Sequence, residues 1–342
     1  MIFKACDIAK MLDGTVEGDG NVSVNTFSKI EEGGQGSLSF LANPKYNSFL
    51  YSTNASVVIV NNGLELEKEV RPTLIRVKNA YSSFAKLLEF YNQAKQEKKG
   101  VSSLASIAKS AKIGKDVYIG DFAFIGENTI VGDRTKIYPQ AYLADDVRVG
   151  ANTKIFSGVN IYSDCVIGND CTFHSGVIIG SDGFGFAPQE GSNYQKIAQI
   201  GNVIIEDNVE VGSNTTIDRA TMGSTIIRKG AKLDNLIQIA HNVEIGENTI
   251  VIAQTGISGS TTIGKNCIIA GQVGITGHLK IGDNVKIAAQ SGVSTSVKDG
   301  SIIFGSPAFD AAKYRKAYVH FRNFQKIVAR IDELEERVKG KG

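Results

Sequence analysis

Every sixth residue from Ile107 to Ile179 is bulky and apolar, an unbroken series of thirteen that runs through Ile119, Val131, Leu143, Ile155 and Phe173. Four residues after each of the first twelve stands a small or β-branched residue, among them Ala111, Thr129, Thr153, Cys165 and Val177. The series resumes at Ile205, Val211 and Ile217, shifts by four residues, and runs on from Ile227 to Val293. Each hexad of the first series therefore offers one large and one small inward side chain, and the two series together make 28 hexads. A six-residue period of this kind predicts a β-helix, with a short strand on each face and three hexads closing a triangular coil. With stacked strands about 4.8 Å apart, nine or so coils make a prism roughly 45 Å long.

Residues 183–200, "GFGFAPQEGSNYQKIAQI", have no hexad register and are expected to leave the prism as a loop of the kind that lines sites on rigid scaffolds. Their glycines resemble a phosphate loop only superficially, because no helix signal follows. Residues 1–100 lack the hexads altogether. They alternate short apolar runs such as "ASVVIV" and "TLIRV" with helical stretches such as "AYSSFAKLLEFYNQAKQ", which predicts a separate small α/β domain. The polar run "NQAKQEKKG" makes a tether to the prism, residues 101–303.

Residues 304–342 form a C-terminal extension that turns helical after Pro307. Tyr314, Ala317, Phe321, Phe324, Val328, Ile331 and Val338 make a stripe that suits packing on a neighbouring subunit as a short helical bundle. From Pro307 to Ile331, Lys313, Arg315, Lys316, Arg322, Lys326 and Arg330 stand against Asp310 alone. An acidic protein partner and a solvated charge run both fit that face.

Composition narrows the class. The chain has 342 residues, 42% of them hydrophobic, and a net charge of +2, which gives no reason to bind nucleic acid or an anionic membrane. The opening "MIFKACDIAKMLDG" has Lys4, Asp7 and Lys10 where a signal peptide needs apolar residues, and no run approaches a membrane span, so a cytoplasmic location is expected. The 37 glycines, 5 prolines and absent tryptophan suit short strands and tight corners. Cys165, Cys171 and Cys267 fall in the small inward slot and are expected to be packed core thiols, not nucleophiles.

The four histidines separate by coil position. His241 follows Ile239 by two residues and His278 follows Ile275 by three, so the two share a face two coils apart. Above His241, at intervals of 18, come Gly259 and Gly277, a column without side chains whose backbone N–H groups are expected to be exposed. These residues leave open a surface histidine and a pocket. His174 and His320 are read as structural.

Several segments together resemble a known family: "SLSFLANPKY" (37–46), "GSDGFGFA" (180–187), "TTIDRAT" (215–221), "LDNLIQIAHN" (233–242), "GHLKIGD" (277–283) and "GSPAFD" (305–310). The resemblance, over nearly the whole chain, is to the UDP-3-O-acylglucosamine N-acyltransferases of lipid A synthesis, within the hexapeptide-repeat acyltransferases. It implies a left-handed parallel β-helix and a homotrimer with active sites between adjacent prisms. It also implies a UDP-3-O-acylglucosamine acceptor and a 3-hydroxyacyl donor on the phosphopantetheine of acyl carrier protein, with no cofactor and no metal beyond these. That acidic carrier would suit the basic tail.

By the same resemblance His241 is the general base, matched to neutral pH by an imidazole's ordinary pKa of about 6.5. The Gly259 N–H would stabilise the tetrahedral oxyanion, and Asp234 would orient or polarise His241. Asn235 would contact the sugar, and His278 would help hold the acceptor. Phe40, Asn43 and Tyr46 map to the nucleotide end, although the residues alone allow Phe40 to be core of the small domain. Direct transfer without an acyl-enzyme is the economical course. Three rival readings are a relative acting on another amino nucleotide sugar or a coenzyme A donor, a zinc β-helix that hydrates carbon dioxide, and a purely structural prism. The zinc reading lacks a third histidine near His241 or His278. The structural prism would repeat its outward residues coil after coil.

Overall fold

The computed structural model describes residues 2–95, 98–190, 193–306, 308 and 310–339. Residues 96 and 97 of the tether, and Pro307 at the head of the extension, lie outside the described residues. Two compact units divide the chain, residues 1–98 and 99–342.

The first unit is built on a five-stranded sheet in the order Thr15–Glu17, Thr73–Val77, Val57–Asn61, Ser37–Leu41, Thr26–Phe27. Its three central strands pair in parallel and read as near-continuous apolar runs because both faces are covered. On one face Leu38, Val57, Ile59 and Ile75 pack with Ile8 and Leu87 of the helices Ala5–Met11 and Ala80–Lys95. On the other, Leu41, Val58, Val60 and Leu74 pack with Leu50.

The second unit contains a left-handed parallel β-helix with faces of nine, ten and eleven strands among the described residues. Most strands are two residues long, an outward residue followed by the bulky inward one. Lys136–Ile137, for example, pairs with Lys154–Ile155 eighteen positions on. Ile119, Ile137, Ile155 and Phe173 thus stack in one fully buried column. Inward threonines do more than fit the small slot: Thr129 Oγ1 donates to the Ala144 carbonyl at 2.7 Å and Thr135 Oγ1 to that of Gly150 at 2.8 Å. The buried hydroxyls are thereby satisfied.

Corners close through residues in the left-handed region, such as Asn248 (φ 54°), Asn266 (φ 55°) and Asn284 (φ 57°). Asn and Asp tolerate that region better than other L-residues. Two features were not legible in the hexads. The segment after Gly183 folds back as an antiparallel hairpin, Phe186–Pro188 with Tyr194–Lys196. The extension is two helices, Ala311–Arg322 and Phe324–Lys339, broken at Asn323, with Asp310 capping the first through the amides of Ala312 and Lys313.

Candidate active site

Both breaks in the hexad register fall at one corner of the prism, where the ten-stranded face turns into the nine-stranded face. The longer insertion leaves after Ile178–Ser181 and returns at Asn202–Ile205. One coil on, the shift of four residues separates Thr216–Asp218 from Ser224–Ile227 on the same two faces. His241 occupies that corner in the next coil, between Gln238–Ile239 and Glu244–Ile245.

The half-buried imidazole is bracketed by backbone. A Cβ on Gly183 would stand 2.8 Å from the His241 Cβ, and a Cβ on Gly259 would stand 2.6 Å from both Cε1 and Nε2. Glycine at these two positions is therefore a condition for the ring's place. The hairpin is tied to the shorter insertion through Gln199, whose Oε1 accepts from Thr221 Oγ1 at 2.9 Å and whose Nε2 donates to the Ile197 carbonyl at 3.0 Å. On its other edge the ring meets Asn242, with Nδ1 3.2 Å from Oδ1.

Asp218 completes the cluster. It is 7% exposed, accepts from Ser181 Oγ at 3.0 Å and from Gln238 Nε2 at 2.8 Å, and interacts electrostatically with His241. Burial pushes its carboxyl up to about 6, against the pull of the two hydrogen bonds and the imidazole. A carboxylate so placed stabilises an imidazolium as it forms.

Of the residues singled out in the sequence, Gly259 lies against the imidazole, and its amide donates no hydrogen bond among the described residues. His278 sits on the same corner, two coils from His241, and its amide donates to the Gly259 carbonyl at 3.0 Å. Asp234 and Asn235 lie at a different corner, between the eleven- and ten-stranded faces, so one chain does not bring them to His241. The Asp234 carboxylate accepts from the amides of Asn235 at 2.8 Å and Ala253 at 3.2 Å, and Asn235 Oδ1 accepts from the Ser213 amide at 2.7 Å. Both line a shallow pocket with His174, Glu210, Lys232 and Ile252.

In the first unit Phe40 stacks on Phe84 with centroids 4.2 Å apart, so one ring face is already covered. Tyr46 is 43% exposed, and Asn43 Oδ1 caps a short 3-10 turn by accepting from the Lys45 amide at 3.1 Å. Asp218, Asn242 and Gly183 were assigned no role from sequence, although the two register breaks pointed to their corner.

Residues 21–90 match the family described as UDP-3-O-(3-hydroxymyristoyl) glucosamine N-acyltransferase. Hexapeptide-repeat transferase families match residues 110–145, 146–181, 202–235 and 260–295. The UDP-3-O-acylglucosamine N-acyltransferase of Christiangramia forsetii is 62% identical over 338 residues, 99% of each chain. The chain belongs to the UDP-3-O-acylglucosamine N-acyltransferase family. The relative of that name from Cytophaga hutchinsonii is 58% identical over 98% of this chain and 97% of its own. A solved UDP-N-acetylglucosamine acyltransferase from Arabidopsis aligns with a TM-score of 0.54 at 22% identity, covering 60% of this chain and 71% of that one, a likeness of fold.

An N-acyltransferase of this family must bring an amine and an acyl chain together, and a groove starts beside His241. On the ten-stranded face the outward positions Gly256, Gly274 and Gly292 succeed one another, each with open space where a Cβ would stand. Gln238 and Ala240 lie at the histidine end of the groove, and Ser258, Thr276 and Ser294 edge it. The three thiols of the prism are unsuited to carry the acyl group. Cys165 and Cys171 are buried, with burial pushing each up to about 11, and burial raises Cys267 as well.

Proposed function

We propose that the protein moves a 3-hydroxyacyl chain from acyl carrier protein to the 2-amine of UDP-3-O-(3-hydroxyacyl)-glucosamine, with His241 as general base. The observation that carries this reading is the His241 ring, seated against the Gly259 backbone at the head of the glycine groove. Nε2 takes the proton from the amine as nitrogen attacks the thioester carbon. The Gly259 N–H, free of other partners among the described residues, stabilises the oxyanion. Collapse expels the thiolate, which the imidazolium reprotonates, and transfer is direct because the three thiols of the prism, Cys165, Cys171 and Cys267, are buried.

The acyl chain of the donor lies along Gly256, Gly274 and Gly292. Asp234 and Asn235 reach the site from a second copy of the chain, in a homotrimer whose neighbouring prisms meet corner to corner, and His278 holds the acceptor. Tyr46 and Phe40 stack on uracil, and Asn43 contacts the nucleotide.

The test is acyl transfer from 3-hydroxyacyl carrier protein to the acylated UDP-glucosamine by the wild type and His241→Ala, with circular dichroism on both. A fall in kcat of roughly a hundredfold or more is expected on removing a general base. A folded variant that keeps its rate removes His241 from that role, and an inactive wild type redirects the search to other nucleotide sugars or to coenzyme A donors.

A further inference from the structure

Asn242 is one of many residues in the left-handed corner position (φ 60°), and among the described corner asparagines its side-chain amide is the one held at both ends by backbone groups. The extra four residues of the preceding coil present two backbone groups to it. The Thr221 amide donates to Asn242 Oδ1 at 3.0 Å, and Asn242 Nδ2 donates to the Met222 carbonyl at 2.9 Å. A backbone N–H only donates and a carbonyl only accepts, so these two contacts decide which end of the amide is oxygen. That oxygen is the atom 3.2 Å from His241 Nδ1.

We propose that Asn242 is a positioning residue that holds neutral His241 in the Nδ1–H tautomer, leaving the lone pair on Nε2, the nitrogen beside Gly259. Oδ1 has no hydrogen to give, so contact with an unprotonated Nδ1 would set two lone pairs against each other. The register shift after Ile217 thereby acquires a purpose: it places Thr221 and Met222 where they orient the amide that orients the base. The tautomer follows from the hydrogen bonds alone, while its catalytic consequence rests on His241 being the base.

Among the described residues Asn242 Oδ1 is the hydrogen-bond partner of a His241 ring nitrogen, and the other charged or titratable groups of this corner stand outside that contact. Asp218, on the strand below, interacts electrostatically with His241, Asp182 is paired with Lys196 on the hairpin, and His278 stands two coils above. Arg219 is occupied by the carbonyls of Gly180 and Ser163.

The experiment is nitrogen-detected NMR of the full-length protein labelled with 15N-histidine, at a pH where imidazoles are neutral, with the His241 signals identified by their absence from His241→Ala. The wild type should show a protonated Nδ1 and an unprotonated Nε2. Asn242→Ala should lose that preference, while Asn242→Asp, which only accepts, should keep it and raise the imidazole's titration midpoint. In kinetics Asn242→Ala should lower kcat at least tenfold with little change in KM, and Asn242→Asp should move the acid limb of kcat/KM to higher pH. A wild type protonated at Nε2, an Asn242→Ala spectrum like the wild type's, or an unmoved midpoint in Asn242→Asp would each overturn the proposal. If Asn242→Ala does not fold, the wild-type tautomer and the Asn242→Asp midpoint still decide it. Because the spectra need no substrate, full activity in His241→Ala would sink the base while leaving the tautomer standing.

Discussion

Asp218 sets the charge balance at the residue scale. Its carboxyl titrates near 6 in the fold, above the ordinary aspartate range, because burial outweighs the hydrogen bonds from Ser181 and Gln238. The folded state therefore binds this proton more readily than the unfolded chain, and stability from this group is present at low pH and lost as pH rises through about 6. The rise from the ordinary aspartate range to about 6 corresponds to about 3 kcal/mol. The unfolding free energy of wild type relative to Asp218→Asn should thus fall by about that amount between pH 4 and 8, measured by urea denaturation; parallel pH curves would contradict it. The same substitution removes the anion that favours imidazolium, so the acid limb of kcat/KM should move to lower pH. Asp218 was unreadable from sequence because the equivalent position is exposed in one coil, as with Tyr162 (44%), and buried in another, as with Ala144 (7%). Its burial arises only once the two insertions fold over that corner. Asn242 was equally hidden among the corner asparagines, since its partners are backbone groups.

At the scale of the element, glycines that look alike in sequence have opposite reasons to be glycine. A Cβ on Gly246 would lie 2.4 Å from the backbone of Gly264 in the next coil, whereas Gly274 faces open space. Gly246→Ala is therefore expected to lower stability by about 1–3 kcal/mol through overpacking, and Gly274→Leu to leave the urea midpoint nearly unchanged. In transfer assays Gly274→Leu should raise the donor KM for long acyl chains more than for short ones. Equal effects on all donors would remove the acyl chain from this groove. The hexads made the strands, the inward columns and the coil length legible, because burial on a two-residue strand forces the period directly. They were silent about the hairpin at Phe186–Pro188 and the helix break at Asn323, whose conformations depend on local side-chain contacts such as Asn323 Nδ2 to the Val319 carbonyl.

For the whole molecule, the decisive fact is that His241 and Asp234 stand at different corners of one prism. If both belong to one active site, the site is completed by a neighbour, and a single isolated chain lacks it. The apolar stripe along the two C-terminal helices supports assembly as well, since Phe321 and Phe324 remain 77% and 62% exposed in the single chain. A cyclic trimer makes a quantitative prediction. His241→Ala and Asp234→Ala, each inactive alone, should regain activity when co-expressed with different tags and purified through both. A site works when the chain supplying the histidine is the aspartate variant and its neighbour is the histidine variant, which random mixing gives in about a quarter of sites. Dual-tagged trimers, enriched in mixed subunits, should exceed that fraction and always hold one working site. Were the two residues used within the same chain, every site would lack one of them and the mixture would stay as inactive as its parents, so the assay separates a site between subunits from one confined to a single prism.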